Sequence, residues 1–397
     1  MHSFEFSKRT NWQFGSNPVI LSLEKLRENK TPLIDLTESN PTHCGYRYPG
    51  KDILNALVDD RNLLYQPLPE GMVDARKVIQ KYYQNKGVEV ALENIILTSS
   101  TSEAYSFLFK LLTDAGDSVL FPEPSYPLFE SLVDLHDIQM DRYVLNYDQQ
   151  WAIDFDSLND LNSKTKAIVL VNPNNPTGSF IKENDLRELN KICKKENLTI
   201  VSDEVFWDFG FEGNSSEKVS LVNNEEVLTF VLGGISKTLA LPQMKLAWII
   251  VSGPTDVVRQ ALNRLEIIAD IYLSVSTPIQ NALDKWFKVK EDIQIQIRER
   301  VRENWSIIQS LSGDMSCCQV LPTEGGWYAV LEIHKPCDEE KLVITLLEKD
   351  HVFVHPGYFF DFKREAFLVI SLLPTAEVIK EGFKRILRRL DEEYHNS

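Results

Sequence analysis

Six short apolar runs between residues 94 and 253 constrain the fold most: "NIILTSS", "DSVLFPEP", "KAIVLVNPNNPTG", "LTIVSDEVF", "VLTFVLGGISK" and "KLAWIIVSG". Several are continuous in apolar residues, which suits strands covered on both faces. Between some of them lie segments of helical spacing. "SEAYSFLFKLL" sets Ala104, Phe107, Leu108, Leu111 and Leu112 on one side, and "IKENDLRELNKICKKEN" follows the third run. The pattern predicts an α/β fold with a large domain, residues 48–285, built on a mostly parallel sheet flanked by helices. A helical stretch from about Pro278 to Leu311 and a mixed α+β tail predict a smaller domain from residues 1–47 and 286–397.

Charge and cysteine usage narrow the function. The chain has 397 residues, 25% of them charged, and a formal net charge of −16. Lys and Arg form no dense block, so no nucleic-acid face is expected. No apolar run approaches the ~20 residues that span a bilayer, and no membrane partner is expected. Cys44, Cys193, Cys317, Cys318 and Cys337 form no CxxC pair and no metal-ligand rhythm. No metal is expected, and reduced thiols in the cytoplasm are the expectation.

The stretch "LGGISKTLALPQMKLAW" places Lys237 after an apolar run and two glycines. A phosphate-binding P-loop would need Gly before the lysine, and Ser236 stands there. Taken alone, Lys237 reads as a surface lysine at a strand-to-helix turn. Four stretches precede it, however, in a fixed order: "YQPLPEG", "TSSTSEA", "NPNNPTG" and "SDEV". With these, the sequence from about Leu36 to the C-terminus resembles the fold-type-I pyridoxal phosphate enzymes of the aspartate aminotransferase superfamily.

That resemblance implies a role for each matching residue. Lys237 supplies the amine that forms a Schiff base with the cofactor aldehyde, then carries a proton as base and acid. Asp203 keeps the pyridine nitrogen protonated. Ser100, Thr101 and Ser102, before an apolar helix, bind the phosphate with hydroxyls and free N–H groups, although a plain helix cap explains them too. Ser236 adds a phosphate contact, and Lys245 stands where the family usually has an arginine, keeping the charge but not the fork. Asn175 matches the hydrogen-bond donor to the phenolic oxygen, and Tyr126 the aromatic that stacks on the ring. Tyr65 matches a tyrosine that reaches the phosphate of a neighbouring subunit, which implies a homodimer.

Three matches fail on the substrate side or beside it. Phe206 replaces a tyrosine that would give the phenolic oxygen a second donor, so the lysine–cofactor linkage is expected to hold its proton more tightly. Ser39 replaces the glycine usual in the N-terminal substrate loop. Val369, in "AFLVISLLP", replaces the arginine that clamps a substrate carboxylate. Either another cation compensates, with Arg364, Lys363 and Arg47 as candidates, or the substrate lacks a carboxylate there. The resemblance implies a pyridoxal phosphate-dependent aminotransferase that moves an amino group from an amino acid or related amine to a keto acid. A C–S β-lyase, another reaction on this scaffold, or a non-catalytic cofactor-binding protein remain alternatives.

Overall fold

The computed structural model describes residues 5–12, 15, 17–211, 218–313, 315–335 and 337–396. The apolar runs form one eight-stranded sheet: β1 (Ile95–Thr98), β2 (Ser118–Glu123), β3 (Gln139–Asp148), β4 (Gln150–Ile153), β5 (Thr165–Val171), β6 (Thr199–Asp203), β7 (Thr229–Gly234) and β8 (Ala247–Ser252). Its order is β1-β8-β7-β6-β5-β2-β3-β4. Strands β7, β6, β5, β2 and β3 are parallel, whereas β8 runs antiparallel to both β7 and β1, and β4 antiparallel to β3. Strands β6, β7 and β8 are buried at every residue and β5 at all but Lys166, as continuous apolar sequence requires.

Helices cover both faces. On one side α1 (Thr101–Leu112) and the helix Thr255–Tyr272 pack an apolar cluster that includes Phe107, Phe121, Val169, Phe230 and Leu265. On the other, Ile79, Leu170, Leu189, Ile200, Trp248 and Trp286 share a second cluster. The helical stretch expected from about Pro278 to Leu311 is helical and consists of two helices, Thr277–Lys288 and Lys290–Ser312, with a break at Val289 (φ −103°, ψ 11°). The break has a packing reason. Leu283 and Trp286 belong to the cluster under the large sheet, whereas Ile293, Ile297 and Val301 belong to a third cluster.

That third cluster lies under a four-stranded antiparallel sheet of β9 (Cys318–Leu321), β10 (Tyr328–Ile333), β11 (His355–Pro356) and β12 (Phe367–Ser371), ordered β9-β10-β12-β11. The C-terminal helix Ala376–Asn396 buries Ile379, Phe383 and Ile386 against it. The N-terminal segment joins the same region, since Ile34–Asp35 pairs in parallel with Val352–Phe353. Ser371 then fixes the following residues: its N–H donates to Leu36 O (2.8 Å) and its hydroxyl to Glu38 O (2.7 Å).

Candidate active site

Four of the predicted stretches leave the same edge of the large sheet. In an open sheet with parallel strands, the C-terminal strand ends are where ligands are received, because the loops there diverge. β1 leads through Ser99 and Ser100 into α1, β5 into the "NPNNPTG" turn, β6 ends on Asp203, and β7 leads into the short helical turn Ile235–Thr238 that carries Ser236 and Lys237. Gly233 at the end of β7 is needed for packing: a Cβ there would lie 2.5 Å from the Trp248 indole.

The α1 entry is a built cap. Ser100 Oγ accepts from the Glu103 N–H at 3.1 Å, and the Glu103 carboxylate accepts from the Ser99 N–H at 2.7 Å. In the turn after β5, the Gly178 N–H donates to Asn174 O and the Asn174 N–H to Ser179 O, each at 2.8 Å. Gly178 has φ +72°, and a Cβ would fall 1.8 Å from Thr323 Oγ1 and 2.3 Å from Gly325 O. Only glycine fits both demands.

These elements close on a cavity of about 330 Å³. Its wall contains Lys237, Asp203, Asn175, Tyr126, Phe206, Ser236 and Lys245, together with Ser100, Thr101 and Ser102 of the α1 entry. Ser39 and Tyr328 reach it from the side of the smaller sheet. Val369 and Tyr65 are not in the wall. Val369 is fully buried in the apolar cluster beneath β12, opposite Val330 and His355. Tyr65 is 79% exposed, beside Leu68 and Leu273. Among the carboxylate-binding candidates, Arg364 pairs with Glu332 and lies over the Phe367 ring, and Arg47 is exposed. Neither these two nor Lys363 lines the cavity.

Burial sets the electrostatics. Desolvation draws the Lys237 ammonium down to about 8 despite the opposing pull of Asp203. Its Nζ lies over the Trp327 ring (4.6 Å) and the Phe206 ring (5.0 Å), which are edge-to-face with each other. Desolvation raises Asp203 to about 6, against the Val205 N–H, the Tyr105 hydroxyl and Lys237, which lower it. The Val205 N–H donates to Asp203 at 3.2 Å, as does the Tyr105 hydroxyl. Asn175 Oδ1 is buried without a partner, a costly state for a wall group unless a ligand engages the amide.

Tyr105, Trp327 and Tyr328 were not predicted. Tyr105 sits inside the helical "SEAYSFLF" pattern, where it reads as a core residue. Trp327 and Tyr328 lie about ninety residues from Lys237 in sequence, and only the pairing of the smaller sheet brings them near. A second, larger groove of about 770 Å³, lined by Lys77, Lys81, Tyr82, Lys285 and Lys288, contains none of the predicted residues.

Residues 31–386 match the family described as aminotransferase class I and II. Among curated relatives, the chain is 28% identical to the glutamate-pyruvate aminotransferase AlaA of Haemophilus influenzae, over 94% of this chain and 95% of that protein. It is 24% identical to an alanine aminotransferase of Mycobacterium tuberculosis, over 93% and 88%. Among solved structures, an alanine aminotransferase from Pyrococcus furiosus superposes with a TM-score of 0.88 at 23% identity, covering 98% of this chain and all of that one. At that identity the superposition speaks to the fold.

Proposed function

The chain belongs to the class I and II aminotransferases, a family of pyridoxal phosphate-dependent transferases, and from this we propose that the cavity around Lys237 is its active site. The observation that carries the reading is the set of groups in one wall: an amine, a carboxylate, a buried asparagine amide whose N–H can donate, and a capped helix entry rich in hydroxyls. These are the partners that the cofactor's aldehyde, ring nitrogen, phenolic oxygen and phosphate require. When bound, pyridoxal phosphate supplies an aldehyde for an amine and a cationic ring that accepts the electron pair left at the donor carbon.

The protein's own groups do the rest. Lys237 near a pKa of 8 holds a useful fraction of neutral amine at physiological pH, so it can form the covalent link and afterwards move a proton. Asp203, placed by Tyr105 and the Val205 N–H, holds a proton on the ring nitrogen. Ser100, Thr101, Ser102, Ser236 and Lys245 hold the phosphate, with the free N–H groups of α1 adding donors. Tyr126 covers the ring, and Phe206 with Trp327 keeps water from the Lys237 side. The substrates are an amino donor and a keto acid acceptor, and the enzyme works in the cytoplasm.

The same reading includes a homodimer. Leu63, Leu64, Tyr65, Ile267, Ile271 and Tyr272 are 47–87% exposed, and an apolar surface of this kind favours association. It includes the division into residues 48–285 and residues 1–47 with 286–397, supported by the pairing of Ile34–Asp35 with Val352–Phe353.

Borohydride reduction of the reconstituted protein, followed by peptide mapping, tests the site. The cofactor should be trapped on Lys237, and Lys237→Ala should lose trapping and at least 10³-fold in turnover, about 4 kcal/mol of barrier. Trapping on a different lysine would end the proposal.

A further inference from the structure

The unassigned end of the cavity is where Ser39 and Tyr328 enter it. Among the described residues of the wall, the charged side chains are Asp203, Lys237 and Lys245. The first two are committed to the cofactor's ring and aldehyde, and Lys245 to its phosphate. Among the described residues of this chain's wall, no further cation remains for a carboxylate on the donor. The nearest basic ring in the strand register is His355, opposite Val369, and burial among Phe353, Phe359 and Phe360 drives its imidazole down to about 4, so it is neutral.

Ser39 and Tyr328, which line this end of the cavity together, are uncharged, and Glu38, next to Ser39 in the chain, is not part of the wall. The Ser39 side chain favours the ionised form of the Tyr328 phenol. Burial pushes Tyr328 up to about 12, and the adjacent Glu38 carboxylate adds to the rise. Glu38 itself is fixed, accepting from the Asn40 N–H at 2.8 Å and lying 3.1 Å from the His43 ring. Two neighbouring hydroxyls offer a donor and several acceptors. A carboxylate brought there would meet no counter-ion among the described residues of the wall, whereas an alcohol would find both a donor and an acceptor.

We propose that the preferred amino donor is a primary amino alcohol, with an uncharged hydroxymethyl group where an α-amino acid has its carboxylate, recognised by Ser39 and Tyr328. This rests on the active-site reading above and names the donor class for it. The exchange balances. The donor carbon loses its nitrogen and one hydrogen and becomes a carbonyl, oxidised by two electrons. The acceptor's carbonyl carbon takes the nitrogen and a hydrogen and is reduced by the same two, and the carbonyl oxygens leave and arrive as water. A keto acid entering the same cavity meets the same missing cation, so it is the more weakly held partner.

Two matched amines without a hydrogen on the reacting carbon separate binding from turnover: 2-amino-2-methyl-1-propanol and 2-aminoisobutyrate. Calorimetric titration of the reconstituted enzyme should give a dissociation constant at least ~10-fold lower for the alcohol. Tyr328→Phe should weaken the alcohol about tenfold and leave the acid within twofold. Tighter or equal binding of the acid, binding of neither compound, or an equal effect of Tyr328→Phe on both would overturn the proposal. The active-site reading is checked separately, before any ligand is added, by the trapped cofactor on Lys237. It survives if α-amino acids prove the better donors.

Discussion

At Phe206 the missing hydroxyl is a chemical decision, because the ring occupies the wall beside Lys237 and packs edge-to-face on Trp327 (5.2 Å, 81°). Phe206→Tyr should add a donor toward the cofactor's phenolic oxygen and lower the pKa of the lysine–cofactor linkage, read as the pH dependence of its absorbance. An equal or higher pKa in the variant would remove that role.

Neighbouring groups set the stability of the apoprotein against pH. Glu204 is pushed up to about 7, chiefly by burial, although Ser220, Leu221 and Ser202 all bond its carboxylate, and Asp203 is raised to about 6. From about pH 4 to 7 the native state keeps protons that the unfolded chain has released, so stability should fall as pH rises through that window. Lys237, lowered to about 8 from 10.5, acts in the opposite sense. Between those values the unfolded chain binds the extra proton, and stability should climb again. Urea midpoints across pH 4–10 should show this trough. In Glu204→Gln the acid-side fall should shrink by roughly 3 kcal/mol, the equivalent of its shift; an unchanged profile would contradict the assignment.

At the scale of elements, the turn after β5 is the most exacting piece of backbone near the site. Gly178→Ala would demand a left-handed residue and drive a methyl into Thr323 and Gly325 O, so a loss of 3 kcal/mol or more is expected. Because the turn carries Asn175, cofactor affinity should fall with it. Calorimetric melting and cofactor titration on the same variant read both effects. How far such elements are legible in sequence depends on their period. β5, β6 and β7 stand out because both faces are buried, and their polar ends, Asp203 and the asparagine turn, mark the site. The hairpin of β3 and β4 was harder to foresee, since Tyr143, Leu145, Trp151 and Ile153 are buried on one face only and the alternation is short. The antiparallel direction of β8 could not be read at all, because an apolar run has the same composition in either direction. Tyr328 joined the site through the register of β10 and β12, a long-range pairing that no local pattern records.

For the whole molecule, the apolar surface around Tyr65 and the helix Thr255–Tyr272 is the face on which the proposed homodimer rests. Ile271 is 74% exposed and Ile267 65%. Ile267→Glu with Ile271→Glu should shift sedimentation from a dimer to a monomer, leave the far-ultraviolet dichroism unchanged, and weaken cofactor retention through the loss of a neighbour's Tyr65. A wild-type protein that sediments as a monomer at micromolar concentration would refute the dimer.

The paired hydrogen bonds from Ser371 to Leu36 and Glu38 tether the strand bearing Val369 to the loop bearing Ser39. Tyr328, the register partner of Ser371, is held by the same clasp. The groups proposed to select the donor are thus carried by the smaller sheet and the N-terminal segment, whereas Lys237 and Asp203 stand at strand ends of the large sheet, so substitutions at the one leave the backbone of the other in place.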